Sequence, residues 1–333
     1  MKNNKYIGHD SQLFGVEQSR LVGGKGDGMH LLHIKNGLGL EFTVSADRCA
    51  DISRLSYNGS NYGYFSPSGY VAPQYYDDKG IGFLKSFTAG FLTTCGLTAV
   101  GSPCKDNEQE LPLHGTISNC PAETISSEVT DSEIIIKATI NQAGIFADKL
   151  MLYRTITCSL EKNVIMIEDR IKNIGDEKTA LMLLYHMNMG YPLLSEEAKI
   201  FIPSKEVKAR NAHAQKDINS WDKMLPPTAG FEEQCYFHSF EEKGLAAIYN
   251  PVLKKGLVIQ FDSNVLDHFT EWKMMGVKDY VLGLEPGNCH PNGRDKMREE
   301  GKLKYILPDE EIVYRVNLSI IEDESQWKSW KSF

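Results

Sequence analysis

Three polar residues lie far apart in the sequence, each in apolar or glycine- and proline-rich surroundings. They are His114 in Leu-Pro-Leu-His-Gly, His186 in Leu-Tyr-His-Met-Asn and Glu285 in Leu-Gly-Leu-Glu-Pro-Gly. Burying such groups is costly unless each finds a partner. Two imidazoles and one carboxylate that meet can supply a general acid and a general base. We therefore predict that these three residues form one site.

The local pattern places two of these residues on strands. Side-chain alternation puts His186 and Asn188 next to each other on one face, at the end of a strand. Gly283 and Glu285 share a face in a later strand, and Pro286 ends that strand directly after the carboxylate. We expect Glu285 at a sheet rim, with Gly283 leaving room beside it. Taken singly, each residue also fits a structural role, and the combination with His114 favours a functional one.

Period-two alternation of apolar residues dominates the rest of the chain. It is clearest over 134–140 and 312–320, where it predicts half-buried antiparallel strands. Further strands are predicted at 151–158, 164–171, 179–187, 245–250, 256–261 and 280–285. The best helical candidates are short and lie at 79–93, which Gly82 and Gly90 interrupt, and at 221–224. The absence of a β-α rhythm favours an all-β sandwich or barrel. We expect a single domain over 1–333 with a loop-rich N-terminal region of about 1–36.

The composition limits the possible partners. The chain has 333 residues, of which 41% are hydrophobic and 24% charged, and its net charge is -8. This charge argues against nucleic acid or an anionic membrane as the main partner. The N-terminus lacks an apolar signal-peptide core and no run is long enough to span a membrane, so a cytoplasmic protein is expected. Seven cysteines without a Cys-x-x-Cys pair indicate reduced thiols.

Other constellations give weaker signals. His30 and His33 have a helical metal-ligand spacing, but their surroundings indicate a strand, so no metal is predicted. The glycine-rich stretch 23–28 lacks the spacing of a phosphate loop, and no cofactor is predicted. Arg48 lies between acidic neighbours, which fits a salt bridge or ligand binding equally well. Trp272 and Lys273 offer an aromatic face and a cation, a combination that suits a sugar and is also common at surfaces.

Four blocks of the sequence together resemble a known superfamily. They are Phe91-Leu92-Thr93-Thr94-Cys95-Gly96-Leu97, Leu113-His114-Gly115-x-Ile117-Ser118-Asn119-x-Pro121-Ala122, Tyr185-His186-x-Asn188-x-Gly190-Tyr191-Pro192-Leu193-Leu194 and Leu282-Gly283-Leu284-Glu285-Pro286-Gly287-Asn288. In this order they resemble the aldose 1-epimerase (galactose mutarotase-like) superfamily, and within it the DUF4432 branch. The resemblance runs from about Leu40 to the end of the chain.

The resemblance implies a β-supersandwich of antiparallel sheets with an open cleft for a monosaccharide. It implies that His186 is the general acid, that Glu285 is the general base, and that His114 and Arg48 hold sugar hydroxyls. Asn188, Trp272 and Lys273 are further candidates for substrate binding. Members of the superfamily also use an aspartate between the second histidine and the glutamate, for which this sequence offers three: Asp217, Asp222 and Asp267.

The chemistry of these residue types fits the interconversion of sugar anomers. A base takes the proton of the anomeric hydroxyl, an acid protonates the ring oxygen, and the ring opens and closes again without a cofactor. We expect an ionised glutamate that favours the charged form of the nearby histidine. A neutral monosaccharide is the expected partner, because an anionic sugar would require several cations, for which Arg48, Lys273 and Arg294 are the candidates.

Two other functions remain open at this point. A non-catalytic sugar-binding or regulatory protein could keep the same cleft without turnover, as the lack of a clear aspartate motif suggests. A glycoside hydrolase would use paired carboxylates, whereas the sequence shows one strong site carboxylate.

Overall fold

The computed structural model describes residues 5–241 and 243–332. The first half of the chain forms β1 (Gly15–Arg20), β2 (His30–Lys35), β3 (Leu40–Ser45), β4 (Asp51–Tyr57), β5 (Ser60–Asn61), β6 (Tyr64–Phe65), β7 (Ala89–Gly90), β8 (Leu92–Leu97), β9 (Cys104–Asp106), β10 (Gln109–Leu111), β11 (Ala122–Val129), β12 (Glu133–Ala143), β13 (Lys149–Ser159) and β14 (Val164–Asn173).

The second half continues the all-β pattern with three short helices between and after its strands. It forms β15 (Thr179–Ala180), β16 (Met182–Met189), β17 (Lys199–Phe201), β18 (Glu206–Ala209), α1 (Ala212–Gln215), β19 (Gln234–Ser239), β20 (Gly244–Asn250), β21 (Lys255–Phe261), β22 (His268–Met275), β23 (Tyr280–Gly287), α2 (Arg294–Glu299), β24 (Tyr305–Ile306), β25 (Glu311–Ile321) and α3 (Glu324–Lys331).

Three antiparallel sheets make up most of the structure. The N-terminal sheet has the order β1-β2-β3-β4-β5 and the large sheet the order β11-β12-β13-β14-β25-β21-β20-β17. The third, which we call the site sheet, has the order β18-β19-β22-β23-β16-β8. The predicted sandwich of antiparallel sheets is confirmed. One hydrophobic core joins all three sheets, with members such as Val44, Leu152 and Leu284.

The strand predictions from alternation agree with the structure. In β12, Ile134, Ile136, Ala138 and Ile140 are buried, as one face of a strand packed on a core requires. The site sheet has apolar residues on the face that meets the core, among them Leu282 and Leu284. Its other face carries the polar side chains of the predicted site. The sheet therefore separates the hydrophobic interior from the chemistry.

The helix predictions are wrong. Residues 79–93 form a 3-10 turn over Gly82–Lys85 and then enter β7 and β8, because Ala89 and Gly90 both adopt positive φ, which a helix excludes. Residues 221–224 are not helical, and the short 3-10 turn nearby covers Ile218–Ser220. Both segments are held by their packing against the sheets, a long-range effect that local periodicity does not record.

The N-terminal region contains two strands, β1 and β2, between its loops, and its first four residues lie outside the described part. His30 Nε2 lies 2.8 Å from Gln18 Oε1, and His33 Nε2 lies 2.8 Å from Ser19 Oγ. Both histidine side chains therefore form cross-strand contacts between β1 and β2. All seven cysteines are free thiols. Within the described residues, no helix combines the length and the apolar character that a membrane crossing requires.

A buried arginine joins the three sheets. Arg154 on β13 donates from Nη1 to Asp51 Oδ1 on β4 at 2.6 Å, and from Nε and Nη2 to both oxygens of Asp169 on β14. It also donates to Thr94 Oγ1 on β8 at 2.8 Å and to the Cys49 carbonyl at 3.1 Å. Its side chain is 1% exposed, and those of Asp51 and Asp169 are 6% and 0% exposed. Such a group is tolerated in a core only when its charges and donors are satisfied in this way.

The same network reaches the site sheet next to the predicted site. Tyr185 on β16 donates from its hydroxyl to Asp169 Oδ2 at 2.9 Å. Tyr185 precedes His186 in β16, so the two side chains point to opposite faces of the sheet. The hydrogen bond of Tyr185 on the core face therefore holds the strand in place where His186 points to the other face. The arginine cluster thereby sets the position of a candidate catalytic residue.

We expect Arg154→Ala to lower the free energy of unfolding by about 3–5 kcal/mol, because it leaves two buried carboxylates without their cation. Urea unfolding monitored by circular dichroism measures this loss. The matched control is Arg315→Ala, since Arg315 forms an exposed pair with Glu168 and is expected to cost under about 1 kcal/mol. Equal losses in the two variants would contradict the structural role of Arg154. Arg154→Lys, which keeps the charge without the fork of donors, is expected to lie between them.

Candidate active site

Three adjacent strands of the site sheet place three polar side chains in a row. Thr270 on β22 pairs with Glu285 on β23. The pairing of Met187 with Leu284 sets the register between β16 and β23 and brings His186 opposite Glu285. His186 Nδ1 lies 3.3 Å from Glu285 Oε1. The row runs from Thr270 through Glu285 to His186 on one face of the sheet.

Glu285 does not lie at a sheet rim, which corrects the sequence prediction. Strand β23 continues through Pro286 to Gly287 and pairs with β22 over that whole stretch. The pairing with β16 is interrupted between Leu184↔Gly287 and Met187↔Leu284, so the missing N–H of Pro286 is accommodated there. Likewise, His186 lies inside β16 and not at its end. Both residues lie inside strands in which every residue is buried.

Gly283 leaves the space that the sequence predicts beside Glu285. A Cβ atom at position 283 would overlap Glu285 Oε1 and lie 3.1 Å from the Cβ of Trp272. The absence of a side chain therefore lets the carboxylate and the indole approach each other across the sheet. This confirms that the glycine makes room on the face of the carboxylate.

A cavity of about 250 Å³ opens over this row. This volume is at the low end for ligand pockets and fits a small molecule. The polar part of its wall includes Ser102, His114, His186, Arg210, Glu233, Thr270 and Glu285, and its apolar part includes Phe83, Leu84, Phe87, Leu113, Trp272 and Pro291. His186, Thr270, Trp272 and Glu285 belong to strands of the site sheet, whereas His114 and the apolar residues Phe83, Leu84, Phe87 and Leu113 come from segments outside those strands.

His114 enters the cavity from the loop after β10. Its φ of 59° is in the left-handed region, and its N–H donates to the Gly101 carbonyl at 2.9 Å. The ring centroids of His114 and His186 lie 5.4 Å apart, and those of His186 and Trp272 lie 5.2 Å apart. The structure therefore brings together four of the residues singled out in the sequence: His114, His186, Trp272 and Glu285.

Several polar atoms of the cavity are buried and lack a hydrogen bond of good geometry within the described residues. They are His114 Nδ1, His186 Nδ1, Thr270 Oγ1 and Glu285 Oε1. Leaving such groups unpaired costs about 1–3 kcal/mol each. Four of them on one small cavity are typical of a site prepared for a polar ligand.

Burial controls the protonation of the site. It lowers the pKa of His186 to about 4 and that of His114 to about 3, the latter helped by His186 and Arg210. It raises the pKa of Glu285 well above its usual range, a shift that Glu233 increases and Arg210 opposes. Both directions run against the expected ionised glutamate and charged histidine, because a dry cavity disfavours both charges.

Arg210 and Glu233 line the cavity and are not predicted from the sequence. Arg210 follows β18, and its Nη1 lies 3.5 Å from Glu233 Oε1 and 3.3 Å from Cys235 Sγ. Trp272 Nε1 donates to Glu233 Oε2 at 2.8 Å, which fixes the orientation of the indole. No local motif marks either residue. The signal in the sequence that could have pointed to Glu233 was the alternation along β19, because Cys235 of that strand lies opposite Trp272.

Arg48 does not line this cavity, in contrast to the expectation from the resemblance. Its side chain is turned into the protein, where Nε donates to the Ser118 carbonyl at 2.6 Å. Nη1 donates to the carbonyls of Val71 and Ser86 at 2.8 and 3.0 Å. Through these hydrogen bonds Arg48 links the chain segments that contain Val71, Ser86 and Ser118.

Lys273 and Asn188 are also engaged elsewhere. Lys273 follows Trp272 directly in β22, so it emerges on the opposite face, where Nζ donates to the carbonyls of Ser220 and Trp221 at 3.3 Å each. Asn188 is buried, does not line the cavity, and donates to the His186 carbonyl at 2.9 Å. Neither residue is placed to touch a ligand in the cavity.

None of the three candidate aspartates lines the cavity. Asp217 accepts from Gln234 Nε2 at 2.5 Å, Asp222 pairs with Lys223 at 3.1 Å, and Asp267 lies 2.8 Å from His268. One acidic residue that lies between His186 and Glu285 in the sequence does line the cavity, and it is Glu233.

The fold and the site define a class of protein. The structure is similar to that of a Klebsiella pneumoniae protein with a provisional assignment as an aldose 1-epimerase, with a TM-score of 0.92, 27% identity, and coverage of 97% of this chain and 89% of that one. It shares its fold with the galactose 1-epimerase of Lactobacillus acidophilus (TM-score 0.64, 11% identity, coverage 93% and 100%). A galactose mutarotase-like protein of Clostridium acetobutylicum is comparable (TM-score 0.65, 13% identity, coverage 93% and 99%).

The sequence defines the family within that class. The model of the domain of unknown function DUF4432 matches residues 26–320, and the chain belongs to this family. No curated protein matches the sequence.

The buried carboxyl group yields a stability prediction. The pKa of Glu285 is raised by burial, so the folded protein holds its proton more tightly than the unfolded chain, and the contribution of this carboxyl group to stability falls as the pH rises above about 4.5. Glu285→Gln removes this titration. We expect the variant to be more stable than the wild type by about 1–3 kcal/mol at pH 8, with the difference shrinking toward pH 4.5.

Urea unfolding at several pH values measures the effect. Glu232→Gln is the control, because the Glu232 side chain is 69% exposed and its replacement is expected to leave stability nearly unchanged. A Glu285→Gln variant that is less stable than the wild type at pH 8 would show that the carboxyl group is not strained by burial.

Proposed function

We propose that this protein is an aldose 1-epimerase-like enzyme that interconverts the anomers of a monosaccharide. The observation that carries this proposal is the pair formed by His186 and Glu285, 3.3 Å apart in a small cavity lined by unpaired polar atoms. One group that accepts a proton beside one that donates it is the requirement of this reaction.

In the proposed reaction His186 and Glu285 share one proton, which can reside on either residue. In the free protein burial raises the pKa of Glu285 and lowers that of His186, which favours the proton on Glu285. A bound sugar offers hydroxyl groups that stabilise a carboxylate by hydrogen bonds, which allows the proton to move to His186. The pair then has the arrangement that the reaction needs: Glu285 as base and His186 as acid.

The proposed steps balance within this pair. Glu285 takes the proton of the anomeric hydroxyl, the freed electron pair forms the C1=O1 bond, and the C1–O5 bond breaks as O5 receives the proton of His186. The open-chain aldehyde rotates about C1–C2. The reverse steps close the ring on the other face of the carbonyl and return each proton to its donor.

The remaining cavity residues hold the sugar. The Trp272 indole, oriented by Glu233, offers an aromatic face to the C–H groups of a pyranose. His114 and Arg210 supply polar atoms to its hydroxyls. We place these four residues in substrate binding, in addition to the acid-base pair.

The distribution of cations supports a neutral sugar. Arg48 and Lys273 are bound to main-chain carbonyls away from the cavity, and Arg294, which is 5% exposed, pairs with Asp106. Arg210 lines the cavity, but Glu233 lies 3.5 Å from it. An anionic substituent would therefore lose its hydration without gaining a free cation.

The catalytic assignment predicts the behaviour of two variants. His186→Asn and Glu285→Gln are each expected to lower the rate of anomer exchange by about 10²–10⁴-fold, because each removes a proton-transfer group. Exchange spectroscopy by NMR on a panel of aldoses measures the rate. His33→Asn, on the N-terminal sheet, is the control and is expected to keep full activity. Folded variants with wild-type exchange rates would exclude the assignment.

The substrate class has its own test. A neutral aldose at 100 times its dissociation constant is expected to stabilise the protein by about 2.7 kcal/mol, whereas its 6-phosphate and the corresponding uronic acid are not. A thermal-shift screen of the three forms, repeated with Arg210→Ala, measures this difference. If only the anionic sugars raise the melting temperature and Arg210→Ala abolishes the shift, the neutral-sugar assignment is wrong.

A non-catalytic sugar-binding protein is the alternative. The observation in its favour is the raised pKa of Glu285, which disfavours the ionised form that the proposed base needs. Calorimetric binding of an aldose without acceleration of any anomer exchange would favour this alternative over the enzyme.

A further inference from the structure

Thr270 is the member of the row to which no role has been assigned. It lies on β22 directly opposite Glu285, lines the cavity, and is 1% exposed. Its Oγ1 atom is buried without a hydrogen-bond partner in the described residues. A valine would fill the same space without this cost, so the hydroxyl is expected to meet a polar ligand atom.

The order of the row matches the order of oxygens around the anomeric carbon. Glu285 lies on the central strand, with His186 on the strand to one side and Thr270 on the strand to the other. In an aldopyranose the anomeric oxygen O1 has two nearest oxygen neighbours. One is the ring oxygen O5, bonded to the same carbon, and the other is the hydroxyl O2 on the next carbon.

The acid-base pair fixes two of these three positions. If Glu285 acts on O1 and His186 on O5, O2 is the remaining neighbour of O1 and lies on the side of Thr270. A threonine hydroxyl can both donate to and accept from a sugar hydroxyl. Its β-branched side chain has few rotamers in a strand, so the hydroxyl is held in place before the ligand arrives.

We propose that Thr270 binds the C2 hydroxyl of the sugar and makes the enzyme selective for 2-hydroxy aldoses over 2-deoxy aldoses. This inference rests on the proposed function, because the positions of O1 and O5 come from the roles of Glu285 and His186. It adds a specificity-determining residue that acts on the carbon about which the open chain rotates.

A double-mutant cycle between protein and substrate tests the inference. The proteins are the wild type, Thr270→Val and Thr270→Ser, and the substrates are D-glucose and D-galactose with their 2-deoxy analogues. Thr270→Val is expected to lower kcat/KM roughly 3- to 10-fold on the 2-hydroxy sugar that the wild type turns over fastest. On the 2-deoxy analogue we expect a change of less than about 2-fold, because the interaction is already absent there. Thr270→Ser, which keeps the hydroxyl, is expected to retain the preference of the wild type.

The outcomes separate the inference from the proposed function. Equal losses on both sugars, or no loss on either, would overturn the role of Thr270 while leaving the enzyme assignment intact. If the wild type turns over none of the sugars, the enzyme assignment fails, and calorimetric dissociation constants for the same cycle decide about Thr270. A cavity that binds no sugar of the panel would overturn both.

Discussion

The rest of the structure depends on one buried cation. Arg154 connects carboxylates from the N-terminal and large sheets and a threonine from the site sheet, in a core where an unpaired charge could not persist. Sheet packing by apolar contacts tolerates small sliding movements, whereas a fork of short, charged hydrogen bonds does not. Through Tyr185 the same cluster anchors the strand that carries His186. The geometry of the site is therefore specified by polar contacts on the far side of the sheet.

Burial has two effects on the candidate site. It strengthens each electrostatic contact between protein and ligand, because the cavity contains few competing dipoles. It also lowers the pKa of His186 and raises that of Glu285, so that the charged form of each group is disfavoured. Under the proposed function, hydrogen bonds from a bound sugar move one proton from Glu285 to His186, across the 3.3 Å that separates the two side chains.

The sequence predicted the sheets and the meeting of His114, His186 and Glu285 in one candidate site, since alternation and the blocks around these residues are local signals. Prediction from the sequence failed where long-range packing determines the position of a side chain. Strand parity already separates Lys273 from Trp272, so that error was avoidable. The inward turn of Arg48 was not predictable, because three carbonyls from distant segments hold it. Arg210 and Glu233 likewise reach the cavity only through sheet pairing.

The division of the cavity lining between the site sheet and segments outside it has a consequence for how such a protein can change over generations. The site sheet carries the proposed acid-base pair, and Gly283 leaves no space for variation beside Glu285. The segments outside the sheet provide Phe83, Leu84, Phe87 and Leu113, which line the cavity without belonging to that pair. Under the proposed function, substitutions among these four residues change the shape of the cavity without moving the acid-base pair, so a change of the preferred sugar does not require a loss of the reaction.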